Sequence, residues 1–235
     1  MRQAVPVSGR ARHWDEIYAT NPVTELSWYE REPSVGLRLI ETIAPGPAAS
    51  VVDVGAGSSS LVDHLLAAGF NDVTALDLSG RALGLVRARL GQASRDVTFI
   101  EEDLLAWEPG RTYDIWHDRA VFHFLTDEAA CDRYVALAAG AVHTGGHLVL
   151  AAFAEDGPTR CSGLPVTRYS TQALTDIFSP FFVRVGAERE EHFTPRGTVQ
   201  PFTWVVLRRT PLDDPDAAHP DRTGNAPGDR SPEPE

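Results

Sequence analysis

The chain has 235 residues, 43% of them hydrophobic, and a formal net charge of −12, an acidity that opposes nucleic acid as a substrate because phosphate binding rests on Lys and Arg. No apolar tract is long enough to span a membrane, and Met1–Arg12 carries arginines without the apolar core of a secretion signal. Two cysteines, Cys131 and Cys161, make neither a disulfide framework nor a zinc-ligand spacing, so one globular domain without metal, in a reducing cytoplasm and monomeric or weakly dimeric, is expected.

Residues 1–12 read as a flexible N-terminus and the domain is placed at 13–209, led by helices over 13–44. His13-Trp14-Asp15-Glu16-Ile17-Tyr18 begins a short amphipathic helix that Asn21-Pro22 interrupts. After Glu25-Leu26-Ser27-Trp28-Tyr29, Pro33 opens a second helix with apolar Val35, Leu37, Leu39, Ile40 and Ile43. Trp14, Tyr18, Trp28 and Tyr29 either pin this segment to the core or form a lid over a bound ligand.

Pro45-Gly46-Pro47 ends the leading helices, and Val51-Val52-Asp53-Val54 then runs into Gly55-Ala56-Gly57-Ser58-Ser59-Ser60 and the apolar run Leu61 to Leu66. A β-branched run ending in a carboxylate, then small residues, then a helical pattern predicts a buried parallel strand turning tightly into a helix. Gly55 and Gly57 let the backbone take positive φ and let a ligand come close, while the first helical amides point at it. The next strand, Val73-Thr74-Ala75-Leu76-Asp77, also ends in an acid, about 20 residues after Gly57 and near the interval at which dinucleotide folds place their ribose-binding acid. Asp53 and Asp77 at adjacent strand ends suit the diol of an adenosine ligand. A nicotinamide enzyme wants Gly or Ala where Ser60 stands.

At this turn the chain resembles the class I S-adenosylmethionine-dependent methyltransferases, whose first motif is an acid followed by x-Gly-x-Gly-x-Gly. Asp53, Gly55 and Gly57 match it, and Ser59 stands in place of the third Gly. The resemblance implies a single Rossmann-like α/β domain, with a seven-stranded, mostly parallel sheet whose last strand is antiparallel and helices on both faces. It implies S-adenosylmethionine as cofactor and S-adenosylhomocysteine as product. The donor would be held by Asp53, Gly55, Ala56, Gly57, Asp77, Leu78 and Ser79, with Trp14, Tyr18, Trp28 and Tyr29 as a lid of the kind many members fold over it.

Leu78-Ser79-Gly80 turns into a helix over Arg81–Leu90, and Val97-Thr98-Phe99-Ile100 forms a third strand followed by Glu101-Glu102-Asp103-Leu104-Leu105. Taken alone this is a solvated acidic turn. It resembles the family's adenine-binding turn, with Asp103 accepting from the exocyclic amine and Leu104 beside it. Tyr113 to Leu125 is a fourth strand running into a loop that, by the resemblance, lies next to the methyl acceptor, with Asp118 also at the donor. Its His117-Asp118-Arg119-Ala120 stretch is similar to that of thiopurine methyltransferase-like enzymes. Asp118 and Arg119 also suit a structural ion pair, and His117 and His123 suit core or cap positions. As catalytic candidates His123, Asp118 and His117 are named, His123 first, because a neutral imidazole there could take an acceptor proton.

Asp127 is a candidate N-cap for a helix over Glu128–Ala139, ended by Gly140, and Gly145-Gly146 precedes a fifth buried strand through Phe153. The loop Ala154–Ser170 lies where open α/β sheets bind substrates. Arg160, Arg168 and Tyr169 are substrate candidates with Arg119, since an arginine suits an anionic group; Cys161 reads as a small buried hydrophobe. Ser170 caps a helix over Thr171–Phe178, and Phe181–Val185 and Phe202–Leu207 are the closing strands, joined by a hairpin-like connection over Glu188–Gly197. There His192 and Gln200 face either the acceptor or solvent. From Pro211 the composition turns to Pro, Asp, Gly, Ala and Arg, so 210–235 reads as a disordered tail.

The function so implied is methyl transfer to a nucleophilic S, O, N or Se atom of a small-molecule acceptor by in-line displacement, with no nucleic acid or membrane partner. The alternative is a protein or peptide methyltransferase, because Trp14-Asp15-x-x-Tyr18 and Ser27-Trp28-Tyr29 also resemble the seven-strand lysine methyltransferases. More distant readings are a non-catalytic donor-binding module and an NAD-dependent oxidoreductase.

Overall fold

The computed structural model describes residues 7–211, so the tail expected at 210–235 lies almost wholly outside the described residues. Seven strands build the main sheet: Ser50–Val54 (β1), Asp72–Asp77 (β2), Val97–Glu101 (β3), Tyr113–Arg119 (β4), Val142–Phe153 (β5), Phe182–Phe193 and Val199–Arg209. Arg160–Cys161 (β6) and Leu164–Pro165 (β7) form a separate small hairpin, which makes the last two long strands β8 and β9. The sheet order is β3-β2-β1-β4-β5-β9-β8, with β9 antiparallel to both neighbours.

Every residue of β1 is buried, as a central parallel strand covered on both faces requires. The helices that cover it are Val7–Thr20 (α1), Ser34–Ile43 (α2), Leu61–Ala67 (α3), Gly80–Leu90 (α4), Glu128–Ala141 (α5) and Thr171–Phe178 (α6). One face packs Trp116, Tyr134 and Phe178 against α5 and α6; the other packs Ile40, Leu61, Leu65 and Trp204 against α2 and α3. Strand order reverses between β1 and β4, and at such a switch point the crevice outside the carboxyl ends of the strands is open to a ligand.

Asp127 and Ser170 cap α5 and α6 as their spacing predicts, accepting from Ala130 N at 2.9 Å and Ala173 N at 3.1 Å. Several boundaries differ from expectation; Gly145-Gly146, expected to precede the fifth strand, lies within β5, and the last strand runs over Val199–Arg209. Residues 7–12 are helical, because α1 is tied to the body by contacts distant in sequence, such as His13 Nε2 to Ser162 O at 3.1 Å. Gly140 does not end α5: the helix runs to Ala141, and the extended Val142 closes it. The connection placed at 188–197 shrinks to 194–198. Strand β8 is an edge strand whose Arg184, Arg189 and Glu191 face solvent, so its strand pattern is hidden under a charge run.

Candidate active site

β1 delivers the chain to Gly55 (φ 64°) and Gly57 (φ 54°), both in the left-handed region that only glycine enters cheaply. Space demands glycine as well, since a Cβ at Gly55 would run into the Val121 side chain and one at Gly57 into the Tyr18 hydroxyl. Asp77, at the end of β2, pins the turn. Its Oδ2 accepts from Gly57 N at 2.8 Å and its Oδ1 from Ser79 N at 2.7 Å. Burial pushes its pKa up to about 6, against the pull of those two amides. Ala56 is buried and its N–H reaches Leu76 O across the strand ends at 3.0 Å. Ser79 caps α4 and donates to Asp15 Oδ1 at 2.6 Å, with half-buried Leu78 beside it. Past β3, Asp103 Oδ1 accepts from Leu105 N at 3.0 Å while its Oδ2 takes Arg10 Nη2 at 2.9 Å, and Leu104 is buried next to it. Of the three acids sought at strand ends, Asp53 and Asp77 thus lie in the last two residues of β1 and β2, and Asp103 just past β3, on three adjacent strands.

α1 lies across this row. Arg10 and Asp15 are its polar ties, and its aromatics interlock edge-on with Trp28 in the segment before α2, Trp14 at 5.8 Å and Tyr18 at 6.1 Å, and with Phe124 in the loop after β4, Trp14 at 5.4 Å. Beneath this cover remains a cavity of about 60 Å³, bordered by Tyr18, Trp28, Tyr29 and the glycine turn. Typical small-molecule sites hold ~300–1,000 Å³, so the cavity as it stands is smaller than a nucleoside-sized ligand needs.

The floor of the cavity is polar. His117 on β4 stands level with Asp53 on β1 in the parallel register, and its Nδ1 lies 2.7 Å from Asp53 Oδ1. Asp53 Oδ2 and His117 Nε2 are buried without a hydrogen-bond partner. Glu30 and Arg119 border the same cavity, with Arg119 Nε 3.3 Å from Glu30 Oε2 and its Nη2 3.9 Å from Glu190 Oε1. Trp204 Nε1 donates to Glu190 Oε2 at 2.7 Å. Burial raises the Glu30 pKa to about 7; Arg119 opposes the rise and Glu190 adds to it. Glu30, Glu190 and His192 are close enough to share a cation. However, Arg119 already supplies positive charge to both carboxylates, and His192 Nε2 lies 2.8 Å from Ser27 O.

Other expected residues lie elsewhere. Asp118 is fully buried and accepts from Val121 N, Phe122 N and the Tyr134 hydroxyl at 2.9, 3.1 and 2.6 Å, which makes it the anchor of the β4 loop. Burial raises its pKa to about 6. His123 is sealed between Phe124 and Phe153, and burial, aided by Arg119, lowers its pKa to about 3, so it is a poor base and does not border the cavity. Arg160 is exposed and donates to Gly163 O within its own hairpin, and exposed Arg168 reaches Gly157 O at 3.3 Å. Tyr169 packs on Phe122 in the core. Cys161 is buried, with its thiol pushed up to about 11 by burial. Glu30, Gly36 and Glu190 were not marked by the sequence. Only the Trp-Tyr pair preceding Glu30 pointed near it.

Residues 51–146 match the family model described as a methyltransferase domain. Among solved structures, a SAM-dependent methyltransferase from Anabaena variabilis superposes with a TM-score of 0.69 at 16% identity, over 89% of this chain and 97% of that one. The 1,6-didemethyltoxoflavin-N1-methyltransferase of Burkholderia thailandensis, bound to its substrate and S-adenosylhomocysteine, superposes with a TM-score of 0.65 at 18% identity, over 89% and 92%. A curated relative, the eEF1A lysine and N-terminal methyltransferase of Mus musculus, is 24% identical over 156 residues, 63% of this chain. The chain spans only 22% of that relative's length. The fold is that of the Rossmann-like class I methyltransferases, and residues 51–146 within it are similar to the methyltransferase domain. The crevice could hold S-adenosylmethionine: the glycine turn, Tyr18 and Trp28 border it, and Asp53 Oδ2 and His117 Nε2 are buried there without a hydrogen-bond partner. Among the described residues no helix is long and apolar enough to cross a membrane.

Proposed function

We propose that the chain transfers the methyl group of S-adenosylmethionine to a nucleophilic heteroatom of a small-molecule acceptor. The observation that carries this reading is the enclosure of the cavity, roofed by Tyr18, Trp28 and Tyr29 and closed on its polar side by Glu30 and Arg119. A space so walled suits a small acceptor better than a chain presented on a folded surface. The toxoflavin-precursor enzyme, matched over nearly its full length, acts on such a molecule.

The donor brings a methyl group already activated on sulfur, so the protein's task is alignment and exclusion of water. Gly55 and Gly57 allow close approach, Asp77 is the acceptor for a ribose diol, and Asp103 for the adenine amine once Arg10 is displaced. The aromatic roof excludes water. Glu30 faces the cavity with a pKa near neutrality, which places it to take the acceptor's proton; His123, held at about 3, is not so placed.

The second reading is a protein acceptor, favoured by the likeness to the mouse lysine and N-terminal methyltransferase. Labelled S-adenosylmethionine added to a lysate with the purified protein separates the two. Label in the low-mass fraction is expected, and label confined to macromolecules overturns the small-molecule reading. Calorimetric binding of NAD in place of S-adenosylhomocysteine would instead favour an oxidoreductase.

A further inference from the structure

Glu30, Glu190 and His192 converge beside the cavity, one ligand atom from each lying within 4.8 Å of the others. Three points so spaced share a centre no more than about 2.8 Å from each, the length of a hydrogen bond between nitrogen and oxygen. Glu30 borders the cavity with Trp28 and Tyr29, and Glu190 comes from the edge strand β8. Arg119 supplies one positive charge for the two carboxylates and holds neither by a hydrogen bond. Its Nε and Nη2 lie 3.3 and 3.9 Å from Glu30 and Glu190, both unpartnered, while its Nη1 donates to Trp28 O at 3.2 Å and its central carbon stands 4.6 Å from the Phe202 ring centre. His192 adds no charge at neutral pH, because burial and Arg119 both lower its pKa. Burial pushes the Glu30 pKa up to about 7, with Arg119 opposing the rise and Glu190 adding to it, the mark of a carboxylate short of a counter-ion.

A second buried group faces the same space. His117 is 4% exposed and borders the cavity, and its Nε2 has no hydrogen-bond partner. A Cβ on Gly36, which borders the cavity too, would stand 2.8 Å from that nitrogen, so Nε2 looks onto the open space. Whichever ring nitrogen carries the proton, a buried polar atom so placed calls for a polar group of a ligand.

We propose that the methyl acceptor is an amine, bound as its ammonium ion by the paired carboxylates of Glu30 and Glu190. The proposal rests on the small-molecule reading above and narrows its acceptor atom to nitrogen. An ammonium brings the missing positive charge together with N–H donors for both carboxylates, whereas a hydroxyl or thiol leaves the charge unmatched and an anion adds to the excess. Arg119 is then the partner of the two carboxylates and not a seat for an anionic acceptor. The bound ammonium gives one proton to the Glu30 carboxylate, which frees the nitrogen lone pair. That lone pair forms the new nitrogen–methyl bond as the sulfur–methyl bond breaks, the electrons of the broken bond staying on sulfur to give S-adenosylhomocysteine. The product leaves as a methylated ammonium ion, and Glu30 returns its proton to water.

The test is calorimetric titration of the full chain, saturated with S-adenosylhomocysteine, with three probes that share one aryl body suited to the aromatic wall of Trp28 and Tyr29: phenethylamine, phenethyl alcohol and phenylacetate. The amine is expected to bind at least about tenfold more tightly than the alcohol, and the carboxylate more weakly than either. Glu30→Gln and Glu190→Gln keep the side-chain shape and remove one charge each. Each is expected to weaken the amine by about tenfold and to leave the alcohol within about twofold, with affinity for S-adenosylhomocysteine showing that the variant is folded. An alcohol or carboxylate that binds as tightly as the amine, an amine preference that survives either substitution in a folded protein, or no binding of the amine at millimolar concentration overturns the proposal. Failure of S-adenosylhomocysteine to bind the unaltered protein overturns the donor reading instead, and label confined to macromolecules in the lysate experiment overturns the small-molecule reading, each a result distinct from the others.

Discussion

Asp77 is held by two amides and yet has its pKa raised to about 6, because burial outweighs the hydrogen bonds. A carboxyl whose folded pKa is raised favours the folded state in its protonated form; that contribution is present below the ordinary carboxylate range and is lost as pH climbs through about 6. Ribose binding needs the opposite form, the acceptor-only carboxylate. Affinity for S-adenosylhomocysteine should therefore rise with pH through about 6 and level off above it. Asp77→Asn should weaken binding by about tenfold or more and flatten that dependence, which calorimetry between about pH 5 and 8 checks. At Gly55 the demand is steric: an alanine would hold a left-handed conformation costing about 1–2 kcal/mol and would also push Val121. At about 2–4 °C per kcal/mol for a chain of this size, Gly55→Ala should lower the melting midpoint by at least several degrees. The placing of Asp53 at a strand end and of Gly55 in the turn after it was legible in the sequence, since both sit in a local motif. The sequence could not couple Asp53 to His117, because residues 64 apart meet only through the register of β1 on β4.

α1 is the element whose position decides access. Its Arg10 occupies Asp103 Oδ2, the oxygen read as the acceptor for the adenine amine, through a guanidinium still about a third exposed. A pair so exposed is worth at most about 1 kcal/mol. Arg10→Ala should therefore speed association and tighten S-adenosylhomocysteine by up to about fivefold, measurable by stopped flow and calorimetry. Loss of affinity would show that Arg10 helps hold the donor. The aromatic content of this helix was visible in the sequence, and a lid was one of its two readings. Its first turns were not, because Met1–Arg12 has no apolar periodicity and the helix there depends on partners more than 90 residues away. Strand β8 was half hidden for a related reason, its solvent-facing charges imitating a connecting loop.

At the scale of the molecule a seven-stranded, mostly parallel sheet with an antiparallel last strand was expected from the family resemblance, and β1, β2 and β3 carried local evidence of their own, apolar runs leading into acids. The charged cluster of Glu30, Arg119 and Glu190 was less legible, being assembled from three distant segments. A ligand that binds only the folded form stabilises the whole sheet at once. S-adenosylhomocysteine at about 100 times its dissociation constant should add about 2.7 kcal/mol, raising the melting midpoint by about 5–10 °C in a thermal-shift experiment. Absence of any shift at that ratio would speak against a single cooperative unit.

The edge-on contact of Trp14 with Trp28 gives the covering helix an optical signature. The other three indoles, Trp107, Trp116 and Trp204, are buried in the body of the domain. Movement of α1 thus changes the surroundings of one pair, while Trp107 and Trp116 pack against each other within the core. Tryptophan emission becomes a direct readout of whether the cover is down or lifted, in the unlabelled protein and on the timescale of mixing. A Trp14→Phe variant should lose most of the donor-dependent change in emission and keep the constant background.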